Sequence, residues 1–328
     1  MPRPPLPLPA ALGEVFTAAH ARAAGVGSRR LSQPDVERIA RGVYRRVGAG
    51  RALPPGGAVA AETWRMMQRE NAAALMRFLP EGAFYSHYTA AAIWHLPVPE
   101  RPCARHGLDV AVHLPRHAVK RGGVIGHRVQ ASYAQTVQRN ALSVTDPAST
   151  WALLAALLVR DDAVALGDAA IRQNRIPGTR RLERPPLAGI ADLSAAANAA
   201  GRSGGPRLRS LVQLLSPHSA SPPESHLRLR LTEWGVPQFE LDFDVLDEQG
   251  HLVGCSEFAF VEFGLALEYE GRHHLTDARQ WNRDIEKYRR YAQLGWEVIR
   301  VTAELLYRRP HELRAQIFEA LRRRGWTG

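Results

Sequence analysis

The chain has 328 residues, 45% apolar and 23% charged, a balance typical of folded globular proteins and unlike that of disordered ones. No apolar run reaches the roughly 18 uncharged residues of a membrane helix, and the proline-broken start MPRPPLPLPAALGEVF lacks the apolar core and cleavage site of a signal peptide, so a cytoplasmic protein with no membrane partner is expected. The net charge of +11 is uneven: residues 1–207 hold 27 Lys or Arg against 14 Asp or Glu, whereas residues 208–328 hold 16 against 18.

A basic front and a mildly acidic rear suit phosphate backbones and a carboxylate-held cation respectively. A compositional bias toward arginine is the alternative, since Lys120 and Lys287 are the only lysines. The length suits three units, placed at 1–57, 58–207 and 208–328. Cys103 and Cys255 are too few for a disulfide framework or a zinc site.

In chain order, Gly13 to Ala24 is predicted as a short helix, and Ser32 with Pro34 and Asp35 is predicted to open another. Arg41-Gly-Val-Tyr-Arg-Arg-Val47 alternates like a strand. A Gly- and Pro-bearing stretch, Gly50 to Gly57, leads to a helix from Glu62 to Leu79. Ser86 and Asp146-Pro147 are read as helix starts, with a strand at Leu108 to Leu114 between them. His87, His95, His106, His113, His117 and His127 share no metal-ligand spacing. Arg172 to Pro186 and Gly201 to Pro206 are read as a basic connector around a helix from Leu193 to Ala200.

The rear third is patterned more clearly. A helix is predicted from Glu224 to Trp234, then strands at Gln238–Leu246, Leu252–Phe260 and Leu265–Glu270. A helix to Leu294, a strand Trp296–Thr302 and a helix near Pro310–Arg324 follow. In Leu265-Ala-Leu-Glu-Tyr-Glu270, period-two alternation puts Glu268 and Glu270 on one face and Leu265, Leu267 and Tyr269 on the other. Paired carboxylates on an apolar strand are costly unless solvated, paired or bound to a cation. Glu257, on the preceding strand, is placed to approach the same face, making a site for a hard ion such as Mg²⁺, with Mn²⁺ as a substitute.

This succession of helix, three strands, helix and strand resembles the core of PD-(D/E)XK nucleases, an α/β (α+β) fold with a mixed sheet and flanking helices. Pro223-Glu-Ser-His-Leu-Arg228, Glu257-Phe-Ala, Leu267-Glu-Tyr-Glu-Gly-Arg-His-His274, Asp284 and Gly295-Trp-Glu-Val-Ile-Arg-Val301 are similar, in order and spacing, to bacterial domains related to very-short-patch repair endonucleases. The resemblance implies a DNA endonuclease of repair or phage defence. It makes Glu224 the first-helix carboxylate, Glu257 the central metal ligand, Glu268 and Glu270 the strand carboxylates and His274 the active-site histidine. The family usually has Asp where this chain has Glu257 and Glu270. The superfamily lysine is missing, because the second residue after Glu268 is Glu270 and the nearest lysine in sequence is Lys287 on the following helix.

The front resembles the small winged helix and the adjoining region of AbiEi-type antitoxins, in the Arg41–Val47 strand and the Ser86-His-Tyr-Thr-Ala-Ala-Ala-Ile-Trp94 and Thr145-Asp-Pro-Ala-Ser-Thr-Trp151 segments. That resemblance implies phosphate contacts from Ser28, Arg29, Arg30, Arg45 and Arg46, with DNA as partner. A protein partner or homodimer is left open. Structural readings stand beside these: Glu224 follows Ser221 at capping-box spacing, and Asp284 and Arg283 suit surface ion pairs. The functional alternative is a non-catalytic DNA-binding regulator or antitoxin with a degenerate nuclease domain.

Overall fold

The computed structural model describes residues 6–47, 57–99, 107–271 and 278–328. Val15-Phe-Thr17, a β-branched and aromatic run, forms strand β1 instead of continuing the helix expected from Gly13. That helix is confined to α1 (Ala18–Ala23), whose N-cap Thr17 accepts the His20 amide at 3.1 Å. The helix expected after Ser32 is absent. Arg30–Ser32 makes one 3₁₀ turn and Asp35 receives the Arg30 guanidinium, so its carboxylate is not free to cap and the chain runs directly into β2 (Val36–Ala40). Gly42, at φ 78°, turns the chain into β3 (Val43–Arg46). The small sheet has the order β1-β3-β2, antiparallel throughout.

The chain divides into two units: Met1–Leu157 with Leu193–Leu208, and Leu158–Asp192 with Arg209–Gly328. No boundary falls at 57, because Ile39, Ala40 and Val43 share one core with Leu75, Tyr85, Val110 and Val144. The first unit continues with α2 (Gly57–Leu75), β4 (Ala83–Tyr85), α3 (His87–Trp94), β5 (Leu108–His113), β6 (Val124–Val129), β7 (Thr136–Arg139), β8 (Leu142–Thr145) and α4 (Pro147–Ala155). These strands form a mixed sheet in the order β6-β5-β4-β8-β7. Asp146 caps α4 as expected, accepting the Ser149 amide at 2.6 Å. Ser86 does not cap α3; its hydroxyl bonds His87 Nδ1 at 2.9 Å instead. Gly50 to Gly56, Cys103 and His106 lie outside the described residues.

The second unit begins with α5 (Arg160–Ile171) and the hairpin β9 (Asn174–Arg175) and β10 (Leu182–Arg184). Helices α6 (Ile190–Ala197) and α7 (Gly205–Val212) each have residues in both units. Then come α8 (Pro222–Trp234), β11 (Glu240–Leu246), β12 (Leu252–Phe260), β13 (Leu265–Glu270), α9 (Ala278–Gln293), β14 (Glu297–Thr302), α10 (Ala303–Tyr307) and α11 (Pro310–Arg323). The sheet order is β11-β12-β13-β14, antiparallel except for the parallel β13/β14 pair. Leu227 and Leu231 of α8, Phe258, Phe260, Leu265 and Leu267 of the sheet, and Leu313 and Ile317 of α11 make its core.

Part of the expected connector belongs to this unit, Arg175 pairing with Asp242 and Asp244 of β11, and α5 before it is anchored as well. Asp168 of α5 is fully buried and accepts Ser225 Oγ at 2.7 Å, Arg228 at 2.8 Å and the Ser216 amide at 2.7 Å. A carboxylate so deeply buried is tolerable because three donors, one of them a guanidinium, satisfy it. Counted by these units, 21 Lys or Arg face 9 Asp or Glu in the first, and 22 face 23 in the second. Among the described residues no helix is long and apolar enough to cross a membrane.

Candidate active site

A break in strand alternation builds the site. Asp242 has φ 52°, within β11. Its neighbours Leu241 and Phe243 pair with Phe258 and Ser256 on β12. Leu241 and Phe258 pack into the core with α8 and α11. Phe243 instead meets Trp296, and Ser256 donates toward Tyr291 of α9 at 3.1 Å. Residues two apart along each strand therefore face opposite layers, which regular pleating forbids.

Glu257 sits at this break. One of its oxygens accepts the Tyr269 amide at 2.7 Å, where the β12/β13 ladder has ended. Burial, then the negative charge of Glu224 and, to a lesser degree, that of Glu268, push its carboxyl up to about 8; the Tyr269 amide and Lys287 pull the other way. Glu224 is held by the capping arrangement predicted for it. Its amide donates to Ser221 Oγ at 3.4 Å, and its carboxylate accepts Ser221 Oγ at 2.8 Å and the Ala220 amide at 2.7 Å. Burial is also the main cause raising the Glu224 carboxyl. The structural and electrostatic readings of Glu224 thus hold together.

Glu268 and Glu270 leave β13 away from the core that Leu265, Leu267 and Tyr269 join, and they find different cations. Lys287 Nζ lies 2.5 Å from Glu268 Oε1 and donates to the Cys255 carbonyl at 2.8 Å. Tyr288 donates to the other Glu268 oxygen at 3.1 Å, and Ser256 approaches Oε1 at 3.3 Å. Gly254 permits the close approach of α9, since a Cβ there would lie 2.9 Å from Tyr291 Oη and 3.0 Å from Lys287 Cε. Glu270 pairs with Arg300 of β14, whose guanidinium also lies 5.6 Å from the Tyr288 ring centroid.

Of the expected trio, Glu257 lies within electrostatic reach of Glu268, while Glu270 takes a cation of its own. The electrostatic cluster is Glu224, Glu257 and Glu268, while Arg300 engages Glu270. Among the described residues no three His, Cys, Asp or Glu side chains gather as a ready ion cage. Lys287, set aside in the sequence as belonging to another helix, is the cation beside Glu268. Its position in the third turn of an amphipathic helix, facing the sheet with Tyr291, was the available signal. His274 and its neighbour His273 lie outside the described residues, as do the side chains of Asp284 and Arg283.

The expected phosphate contacts at the front are mostly committed elsewhere. Arg45 is buried, its guanidinium bonded to Glu37 at 2.6 Å and Glu70 at 3.4 Å. Arg46 donates to the carbonyls of Leu8, Pro9 and Gly13. Arg30 binds Asp35 and the Leu6 carbonyl. All three guanidinium groups are thus engaged within the fold. Ser28 and Arg29 are exposed.

No protein-family model matches the chain. It is similar to uncharacterized proteins from two strains of Mycobacterium tuberculosis, with 27% identity over 230 residues, covering 69% of this chain and 80% of each relative.

Proposed function

We propose that this protein is a metal-dependent DNA endonuclease of the PD-(D/E)XK type, with a winged-helix-like front that binds DNA. The observation that carries the reading is the set of carboxylates Glu224, Glu257 and Glu268, brought together by α8 and the central strands β12 and β13 of a mixed sheet, beside Lys287. The element succession α8, β11–β13, α9, β14 supports the same core. The front succession of turn, strand, helix, turn and two strands, with the order β1-β3-β2, supports the winged helix.

A carboxyl raised by its acidic neighbours is a site with more negative charge than its own cation neutralises, and oxygen donors suit a hard divalent ion. Glu257 and Glu268 would hold Mg²⁺ or Mn²⁺, which would supply a water of lowered pKa and polarise the phosphate. Tyr269 fixes one oxygen of Glu257 through its amide. Lys287 places positive charge beside Glu268, where a phosphoryl oxygen gains charge during in-line displacement. Glu224, locked by Ser221 and Ala220, keeps the field at Glu257 negative.

The regulator reading draws on the Glu270–Arg300 pair, which gives that carboxylate a structural partner. Incubating the purified chain with plasmid, linear and mismatched duplexes, with and without Mg²⁺ or Mn²⁺, separates the two. Metal-dependent strand scission supports the enzyme; binding without scission of any substrate overturns it.

A further inference from the structure

In a winged helix the second half of the motif supplies a helix for the groove, but here that element is the single 3₁₀ turn Arg30–Ser32. The free positive charge lies elsewhere. The β2–β3 turn packs on the loop between β5 and β6: the Arg41 amide donates to the Gly122 carbonyl at 2.5 Å, and a Cβ on Gly123 would fall 2.8 Å from the Ala40 Cα. This packing fixes the hairpin tip against a loop that carries Lys120 and Arg121. A Cβ on Gly122 would lie 3.4 Å from Arg41 Cβ and 3.8 Å from an Arg38 guanidinium nitrogen, so Arg38 and Arg41 stand together beside Gly122.

Arg38, Arg41 and Lys120 are exposed, and none forms an ion pair with any described Asp or Glu. That sets them apart from Arg30 and Arg45, which are neutralised by carboxylates. They lie on the unit whose 21 basic residues exceed its 9 acidic ones. Cations from the β2–β3 hairpin and from the loop packed on it through backbone contacts match the repeating charge of a duplex sugar–phosphate backbone better than they match a single small anion.

We propose that Arg38, Arg41 and Lys120 form a composite phosphate-backbone contact for double-stranded DNA. The inference rests on the DNA-acting reading above and replaces Arg30, Arg45 and Arg46 as its phosphate-binding residues. Both glycines are part of the device: a side chain at 122 would enter the space beside Arg38 and Arg41, and one at 123 would push the loop off the backbone of Ile39 and Ala40.

The test is fluorescence anisotropy of the full chain with a labelled duplex of about 20 base pairs in EDTA, titrated across salt concentrations. Substituting all three residues by alanine is expected to weaken binding at least about tenfold and to lower the slope of log affinity against log salt by about 0.9 for each phosphate no longer neutralised. R38K and R41K, which keep the charge, should retain most of the affinity. Unchanged affinity and slope in the triple variant, with an unchanged melting temperature, overturn the proposal. Absence of any duplex binding by the wild type overturns it too. The nuclease reading fails separately: a wild type that binds with this salt dependence yet never cuts leaves the phosphate-binding surface standing and removes the enzyme.

Discussion

Lys287 Nζ and Glu268 Oε1 lie 2.5 Å apart, a lysine from α9 meeting a carboxylate of β13 across the face on which Tyr291 is fully buried. Both side chains are largely shielded, at 20% and 12% exposure. Removing one partner from such a pair leaves a desolvated charge behind.

Lys287→Met should therefore lower the melting temperature of the metal-free protein, by on the order of 3 kcal/mol in unfolding free energy. Mn²⁺ should recover more stability in this variant than in wild type, because the ion supplies the missing positive charge. Cleavage should fall at least about tenfold even at saturating metal, from loss of charge beside the phosphate. Differential scanning fluorimetry with and without Mn²⁺, alongside a cleavage assay, reads both effects. An equal or smaller metal response in Lys287→Met would remove the idea that lysine and ion serve the same carboxylate.

Glu257 sets a pH dependence with a definite sign. Its folded pKa of about 8 lies above the ordinary 4.5, so the fold favours the protonated form. The associated stability is fully present below about 4.5 and is lost as pH rises through about 8, at up to about 1.4 kcal/mol per unit of separation. Glu257→Gln should flatten this descent in metal-free protein, so the variant's advantage grows from pH 5 to pH 9. Metal binding favours the ionised carboxylate and should release protons near neutrality, measurable by calorimetry in buffers of different ionisation enthalpy. A difference between wild type and Glu257→Gln that does not vary with pH contradicts the assignment.

Asp168 ties α5 to α8, and its replacement should show where the rear unit begins. Asp168→Ala removes the carboxylate that Arg228, Ser225 and the Ser216 amide share and should cost on the order of 3 kcal/mol. A fragment of residues 158–328 should fold cooperatively, whereas 208–328 should not. Circular dichroism melts compare them directly; equal stability would make α5 dispensable.

Arg45 gives the complementary result at the front. Arg45→Ala should destabilise the first unit by on the order of 1–3 kcal/mol, because its bonds to Glu37 and Glu70 disappear. The salt slope of duplex binding should not change. A lower slope at unaltered stability would return Arg45 to the phosphate-binding residues.

Legibility followed how local each signal was. The rear elements were readable because Ser221, Gly235 and Gly295 mark ends and the strands alternate; β12 and β13 fall where the pattern put them. The positive φ at Asp242 was not readable, since nothing in Leu-Asp-Phe-Asp announces that the strand turns over. Lys287 and Arg300 reach their carboxylates from 19 and 30 residues away, through helix docking and parallel pairing that local spacing does not encode. At the front, Arg45 and Arg46 looked like surface charge because their acceptors lie 8 to 38 residues away and, for Arg46, are backbone carbonyls.

The most direct measurement is cleavage of supercoiled plasmid by three proteins: wild type, Glu268→Gln and Glu257→Asp, each with EDTA, Mg²⁺ or Mn²⁺. The expected result is nicking or linearisation by wild type only with metal, none by Glu268→Gln despite an intact fold, and equal or faster cutting by Glu257→Asp. Failure of both wild type and Glu257→Asp to cut, with no metal-induced rise in melting temperature for either, contradicts the enzyme and leaves a DNA-binding regulator.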